Sequence, residues 1–216
     1  VLKFSCGFGL YVGSMTTHIS TMAILKIARM GHPILMSRAQ EVDDPESLEN
    51  RNLVQNMIET MKDARGLGLA APQVHVSKRV VVFHAPTDGS EQSSEESPEW
   101  ELTVLFNPIV EPVLNEMVHG WEGCLSVPEL RGEVPRYAAV RYRGLTLGGR
   151  TIDRTVHGIH ARVVQHECDH LDGILYPMRM TDMSKLVFES EFHHLIEEPH
   201  DPNSHQDDTE EEIMDG

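Results

Sequence analysis

Cysteine is scarce in this chain, with only Cys6, Cys124 and Cys168 among 216 residues. An odd, small set does not make the disulfide framework of a small secreted protein, and it points to a reducing compartment. Long apolar runs are missing as well; no stretch approaches the ~18 residues of a membrane-spanning helix. Basic residues are few, 18 Lys and Arg against 34 acids, for a net charge of −16. That imbalance is local. Pro86 to Trp100, "PTDGSEQSSEESPEW", holds five acids, Glu197 to Gly216 holds nine, and neither contains a Lys or Arg. Without those fourteen charges the body carries −2. It is close to neutral and offers no nucleic-acid-binding surface, while the loop and the tail read as solvated and disordered.

Apolar residues make up 40% of the chain, enough for one domain with a proper core. No internal repeat is present. Residues 1–21 have a single Lys, no clear cleavage site and none of the Arg-rich character of a transit peptide. They read as a loose extension, with Met15 and Met22 both candidate starts. The domain proper is expected over 22–196, with the acidic loop at 86–100 inside it and an acidic tail at 197–216.

Along that domain, "MAILKIARMGHPIL" suggests an entry strand and turn ended by Gly31 and Pro33. Asp43 to Arg65 reads as a helix, opening with acids and a Pro and placing Leu53, Met57, Ile58 and Met61 at helical spacing. "RVVVF" (Arg79 to Phe83) and "LTVLF" (Leu102 to Phe106) flank the acidic loop as the strands of a hairpin, and "AAVRYRGLTLGGRTID" suggests another. Met183 to Ile196 can form a C-terminal helix. The fold class is therefore α+β, with antiparallel sheets packed around a central helix.

That central helix is expected from about His157 to Asp172, stopped by Gly173, and it carries "VVQHECDHLDG". Ile159, Val163, His166 and His170 fall at steps of four, three and four, so both histidines lie on the stripe that faces the interior. Two His at this spacing with Glu167 beside the first are the pattern of a metal site with a general base. A catalytic metal needs three protein ligands and an open position. One protease family supplies the third as a His six residues after the second, but Tyr176 stands there. A zinc-dependent peptidase with Glu189 or Glu191 as third ligand is one open alternative. Cys168 lies two residues from each His, roughly 200° around the helix, and cannot share their metal. Cys124, in "GWEGCLSVP", is the other candidate; its two glycines suit a backbone passing close to something.

Three motifs in one order, "GLGLAAPQ" (Gly66 to Gln73), "EGCLS" (Glu122 to Ser126) and "QHECDHLDG" (Gln165 to Gly173), closely resemble the peptide deformylase family, in its bacterial and organellar first type. The similarity spans about Met22 to Leu195. It implies removal of the formyl group from the N-terminal formyl-methionine of new polypeptides, in a bacterial cytoplasm or an organelle. It also implies a metal held by Cys124, His166 and His170, ferrous iron natively and often nickel, cobalt or zinc in purified protein. Glu167 is implied as the proton carrier, and the Gln73 side chain and the Leu125 amide as donors to the developing oxyanion. "GLGLAAPQ" lacks the spacing and Lys of a phosphate loop; Gly66 and Gly68 suit a peptide laid alongside as an added strand. Leu67, Ile159 and Val163 are candidates for the methionine pocket, and Arg131 for a contact with the peptide. Some bacterial members dock on ribosomes through a C-terminal helix, but no Lys or Arg follows Lys185, so docking on a phosphate-rich surface is not expected here. A non-catalytic relative would have lost a ligand or the Glu, and none is missing.

Overall fold

The computed structural model describes residues 23–87 and 99–196; the N-terminal extension, most of the acidic loop and the acidic tail lie outside the described residues. Helix α1 (Leu48–Asp63) is followed by strands β1 (Gly68–Ala70), β2 (Val80–Pro86), β3 (Trp100–Pro112), β4 (Met117–Cys124), β5 (Val127–Tyr137), β6 (Ala139–Leu145) and β7 (Thr151–His157). Helix α2 (Gly158–Leu171), strand β8 (Leu186–Phe188) and the short helix α3 (His193–Ile196) complete the described chain. The strands form two antiparallel sheets, β1-β2-β3-β6-β7 and β4-β5-β8. The α+β expectation holds.

The run Val80 to Phe83 has no polar face, and such a strand needs cover on both sides. It has it. Val81 and Phe83 join the cluster that packs on α2 through Ala161, Val164, Cys168 and Leu171. Val80 and Val82 point the other way, into the cluster closed by Val54, Met57 and Met61 of α1. Helix α2 is thus enclosed, and nearly every residue from Ala161 to Leu171 is buried. The expected hairpin across the acidic loop is present, with β2 and β3 in register from Val80 opposite Phe106 to Pro86 opposite Trp100. The second expected hairpin is β6 with β7.

Several boundaries differ from the sequence reading. Helix α1 starts at Leu48, five residues late, because Ser47 caps it by accepting from the Asn50 amide at 3.3 Å, while Asp44 is engaged in the turn before it. The entry segment is extended but forms no strand. It lies against α1 and the motif loops and docks by single bonds: Leu25 N to Thr60 Oγ1 at 2.8 Å, Ala28 N to Gln73 O and Met30 N to Ser126 O at 2.7 Å. The C-terminal stretch is not one helix. Turns at Met183–Lys185 and Glu189–Glu191 bracket β8, which pairs with β5, and only His193–Ile196 is helical. An available strand edge and the β-favouring Val187 and Phe188 outweigh local helix propensity there. Strands β4 and β5, rich in Gly, Pro and charge, had no strand signal in the sequence.

Helix α2 ends as expected at Gly173, which adopts φ +76°. A Cβ there would also lie 2.7 Å from the backbone carbon of Met36. Backbone strain and backbone contact then act together, and Gly173→Ala is expected to destabilise the domain by about 2 kcal/mol or more. In thermal melts followed by circular dichroism this reads as a fall of roughly 4–8 °C; an unchanged midpoint would show that the helix exit is not held as described.

Candidate metal centre and active site

Helix α2 presents His166 and His170 one turn apart, with ring centroids separated by 5.0 Å. Strand β4 ends opposite them at Cys124, whose Sγ lies 3.4 Å from Nε2 of His170. The donor atoms of Cys124, His166 and His170 all fall within 4.8 Å of one another, the only such group among the described residues. Soft thiolate with two imidazoles is a donor set for a divalent transition metal.

Two of the three are held from behind, while Nδ1 of His170 is buried with no hydrogen-bond partner among the described residues. Nδ1 of His166 donates to Oε2 of Glu122 at 2.8 Å, which turns Nε2 toward the cluster. Glu122 is itself buried and accepts a fork from Arg136, at 2.9 Å on each oxygen, and a third bond from Arg162 at 2.8 Å. Burial pushes the Glu122 carboxyl up, but the hydrogen bonds from Arg136 and His166 prevail and hold it well below the usual carboxylate range. Arg136 continues to Asp169, which Arg179 also grips at 2.7 and 3.1 Å. The Cys124 sulfur accepts from the Ser126 amide at 3.4 Å and from Nε2 of Gln73 at 3.6 Å.

Glu167 points into the same space. It is buried, which pushes its carboxyl up to about 7, and Oε2 has no hydrogen-bond partner among the described residues. A buried acceptor left open beside a potential metal fits a water held between the two. The residues present therefore fit a metal. Gln73 is oriented by the backbone three residues before it: Ala70 N donates to Oε1 at 2.8 Å, leaving Nε2 aimed at Cys124 and, at 3.2 Å, at Ser126 Oγ. Leu125 sits between those two residues on the wall of the cleft.

A cleft of about 610 Å³ opens over this cluster. Leu67 and Ile159, each about half exposed, and the nearly buried Val163 line it together with Gly66, Gly68 and Arg131. The sequence-predicted residues are thus brought to one place. The two glycines also have tighter neighbours than a peptide. A Cβ on Gly68 would meet Glu167 Oε1 at 2.1 Å, and one on Gly66 would meet Leu125 Cδ1 at 2.8 Å.

The peptidase alternative loses its third ligand. Glu189 is bound to Arg131 at 2.6 Å on the cleft wall, Glu191 is exposed beside His194, and neither joins the cluster. Cys168 is turned into the core against the sheet, and burial pushes its thiol up, so it stays protonated. Glu122, Arg136 and Arg162 were not assigned roles from sequence. Glu122 carried a signal as the first residue of "EGCLS", and Arg162 as the residue one turn before His166 on the same helix face.

The comparisons with known proteins place the chain in one family. Residues 24–186 match the polypeptide deformylase family. Peptide deformylase 1 of Nitrosomonas europaea is 49% identical over 165 residues, 76% of this chain and 92% of that protein. Peptide deformylase 1 of Bordetella pertussis is 48% identical over 164 residues, 75% of this chain and 90% of that protein. Among solved structures, the class I type b peptide deformylase of Acinetobacter baumannii bound to Met-Ala-Ser superposes with a TM-score of 0.66 at 39% identity, covering 74% of this chain and 99% of that one. The Ehrlichia chaffeensis peptide deformylase gives a TM-score of 0.67 at 31% identity, covering 76% and 91%. With the family model matched over residues 24–186 and these relatives covered over nearly their full length, the chain belongs to the peptide deformylase family.

Proposed function

We propose that Cys124, His166 and His170 hold a divalent metal, ferrous iron natively with nickel, cobalt or zinc able to replace it, and that Glu167 carries the proton in deformylation. Members of this family remove the N-formyl group from nascent polypeptides. The observation that carries the reading is the convergence of three ligand atoms, the unpartnered Oε2 of Glu167 and the Gln73 amide on one cleft. The metal, when bound, supplies Lewis acidity that brings water toward hydroxide near neutral pH.

The chain's own residues then divide the remaining work. Glu167 takes a proton from the attacking water at Oε2 and returns it to the departing amine, so formate and a free methionyl terminus leave together. The Gln73 Nε2–H and the Leu125 N–H meet the charge that grows on the formyl oxygen. Leu67, Ile159 and Val163 take the methionine side chain. The outer edge of β1, the end strand of its sheet, accepts the peptide as an extra strand, and Arg131 faces the residues beyond. A methionyl peptide seated in the Acinetobacter relative supports this placement. The bacterial relatives support a bacterial cytoplasm, where such chains are made. Ribosome docking through the C-terminal stretch lacks basic residues to support it.

The direct test is formate release from a formyl-Met peptide by metal-loaded protein, with an unformylated peptide checked for internal cleavage. Formate without cleavage is expected; cleavage would restore a peptidase. Glu167→Ala is expected to keep its metal while activity falls by roughly 10²–10⁴. Near-normal turnover would remove Glu167 from its role. The two described cysteines should diverge when metal content and formate release are measured side by side. Cys124→Ala is expected to lose most of both, whereas Cys168→Ala retains both at a modest packing loss. An emptied site in Cys168→Ala would overturn the ligand set. Formyl-Met peptides should exceed formyl-Gly peptides in kcat/KM by about 10–100-fold, from burial of one apolar side chain. Equal efficiencies would argue against the pocket.

A further inference from the structure

A deformylase acts on the end of a growing chain, so the cleft must pass on whatever follows the methionine. The burial along β1 shows which way that chain leaves. Glu167 marks the reacting end, since its carboxylate fills the place of a Cβ on Gly68. Beyond Gly68 the strand runs inward to Leu69 and Ala70, both fully buried, whereas Leu67 on the other side is 51% exposed. A peptide laid on the outer edge of β1 therefore runs from Gly68 back past Leu67 and Gly66, antiparallel to the strand.

The cavity does not end at Gly66. Leu125 leans across there, packed where a Gly66 Cβ would be, and behind it a second groove of about 440 Å³ opens. The two spaces share Leu125 and Pro128 as a partition. Residues 63–68 form one wall through both, with Asp63 and Ala64 beside the second groove and Arg65 to Gly68 beside the first. The far wall is the entry segment, lined by Ile24 to Ile27. Hydrogen bonds fix that wall to the catalytic motifs' own supports: Ala23 N donates to Asn56 Oδ1 at 2.9 Å and Leu25 N to Thr60 Oγ1 at 2.8 Å on α1, and Ala28 N to Gln73 O at 2.7 Å.

The groove has a chemistry of its own. Its floor is apolar, with Ile24 57% exposed beside Leu125 and Pro128, so an apolar side chain seated there would cover surface now facing water. Its rim carries two exposed cations, Lys26 and Arg29, against one exposed acid, Asp63. A net positive rim stands out in a chain of net charge −16.

We propose that this groove is a distal subsite for the substrate chain, taking apolar and acidic side chains in preference to basic ones. Pairing residue for residue along β1 sets methionine beside Gly68, the second residue beside Leu67 and the third beside Gly66, so about the fourth to sixth residues pass Leu125 and enter the groove. The subsite rests on the deformylase reading and acts on affinity for the chain, apart from the chemistry at the metal.

The test uses C-terminal amides, which carry no terminal carboxylate to occupy the rim. Formyl-Met-Ala-Ser is compared with hexapeptides that continue it as Ser-Ser-Ser, Leu-Leu-Ser, Glu-Leu-Ser and Lys-Leu-Ser. The readout is kcat/KM of each hexapeptide divided by that of the tripeptide, on metal-loaded wild type, Ile24→Ser and the double variant Lys26→Gln/Arg29→Gln; the folded fraction cancels in this ratio. In the wild type Leu-Leu-Ser is expected to exceed Ser-Ser-Ser by about fivefold, carried by KM, and Ile24→Ser to reduce that preference to about twofold. Glu-Leu-Ser should exceed Lys-Leu-Ser by about threefold, a difference lost in the double variant and, in the wild type, near 1 M salt, where the screening length is about 3 Å. Equal ratios for all hexapeptides in the wild type, or preferences that persist unchanged in the variants, overturn the subsite. If no formate is released from any peptide, the deformylase reading fails instead. Calorimetric binding of the unformylated hexapeptide amides then still reads both preferences and decides the inference.

Discussion

A single buried carboxylate, Glu122, accepts hydrogen bonds from Arg136, Arg162 and His166 and so joins β4, β5 and α2 at the place where the ligands must converge. Its burial would be unfavourable alone, since an isolated carboxylate loses its hydration. Three cationic or polar donors offset that loss. Replacing such a group with an apolar side chain of similar size often leaves stability unchanged, so the network is better understood as fixing geometry. Removing one partner is different, because it strands the others and costs about 3–5 kcal/mol. The Nε2 of His166 points toward Cys124 and His170 because Glu122 holds the opposite side of its ring.

The three motifs depend on one another sterically as well. Gly68 of the first has no side chain where the Glu167 carboxylate of the third rests, and Gly66 has none where Leu125 of the second packs. Gln73 closes the remaining gap by reaching Ser126 and Cys124 while its own carbonyl oxygen is held at Ala70. Segments more than 90 residues apart in sequence are thus fitted to one another before any substrate arrives. Preorganised donors of this kind are what a developing oxyanion requires.

Around this rigid centre the cleft grades outward from apolar to charged. Leu67, Ile159 and Val163 lie near Glu167, and the Arg131–Glu189 pair stands on the wall contributed by the C-terminal return of the chain. The described C-terminal stretch, broken into turns around β8, supplies that wall.

Much of this was legible in the amino-acid order. Periodicity placed α2 within a residue of its observed ends and put both histidines on its inner face, because a buried helix shows its stripe in the sequence. The valine run of β2 announced one strand of the hairpin across the acidic loop, while its cover on both faces became visible only in the fold. What local pattern could not reveal were features decided by distant partners. Strands β4 and β5 carry Gly, Pro and charges that argue against strand, and they pair only because β4, β5 and β8 share one sheet. The stretch 183–196 kept helical propensity until the edge of β5 was available to it. From the residues alone, the third ligand stayed open between Cys124 and Glu189 or Glu191; resemblance favoured Cys124. The tertiary structure brings Cys124 to the two histidines and ties Glu189 to Arg131, since spacing along a chain carries no information about which of two distant groups will meet a helix in space.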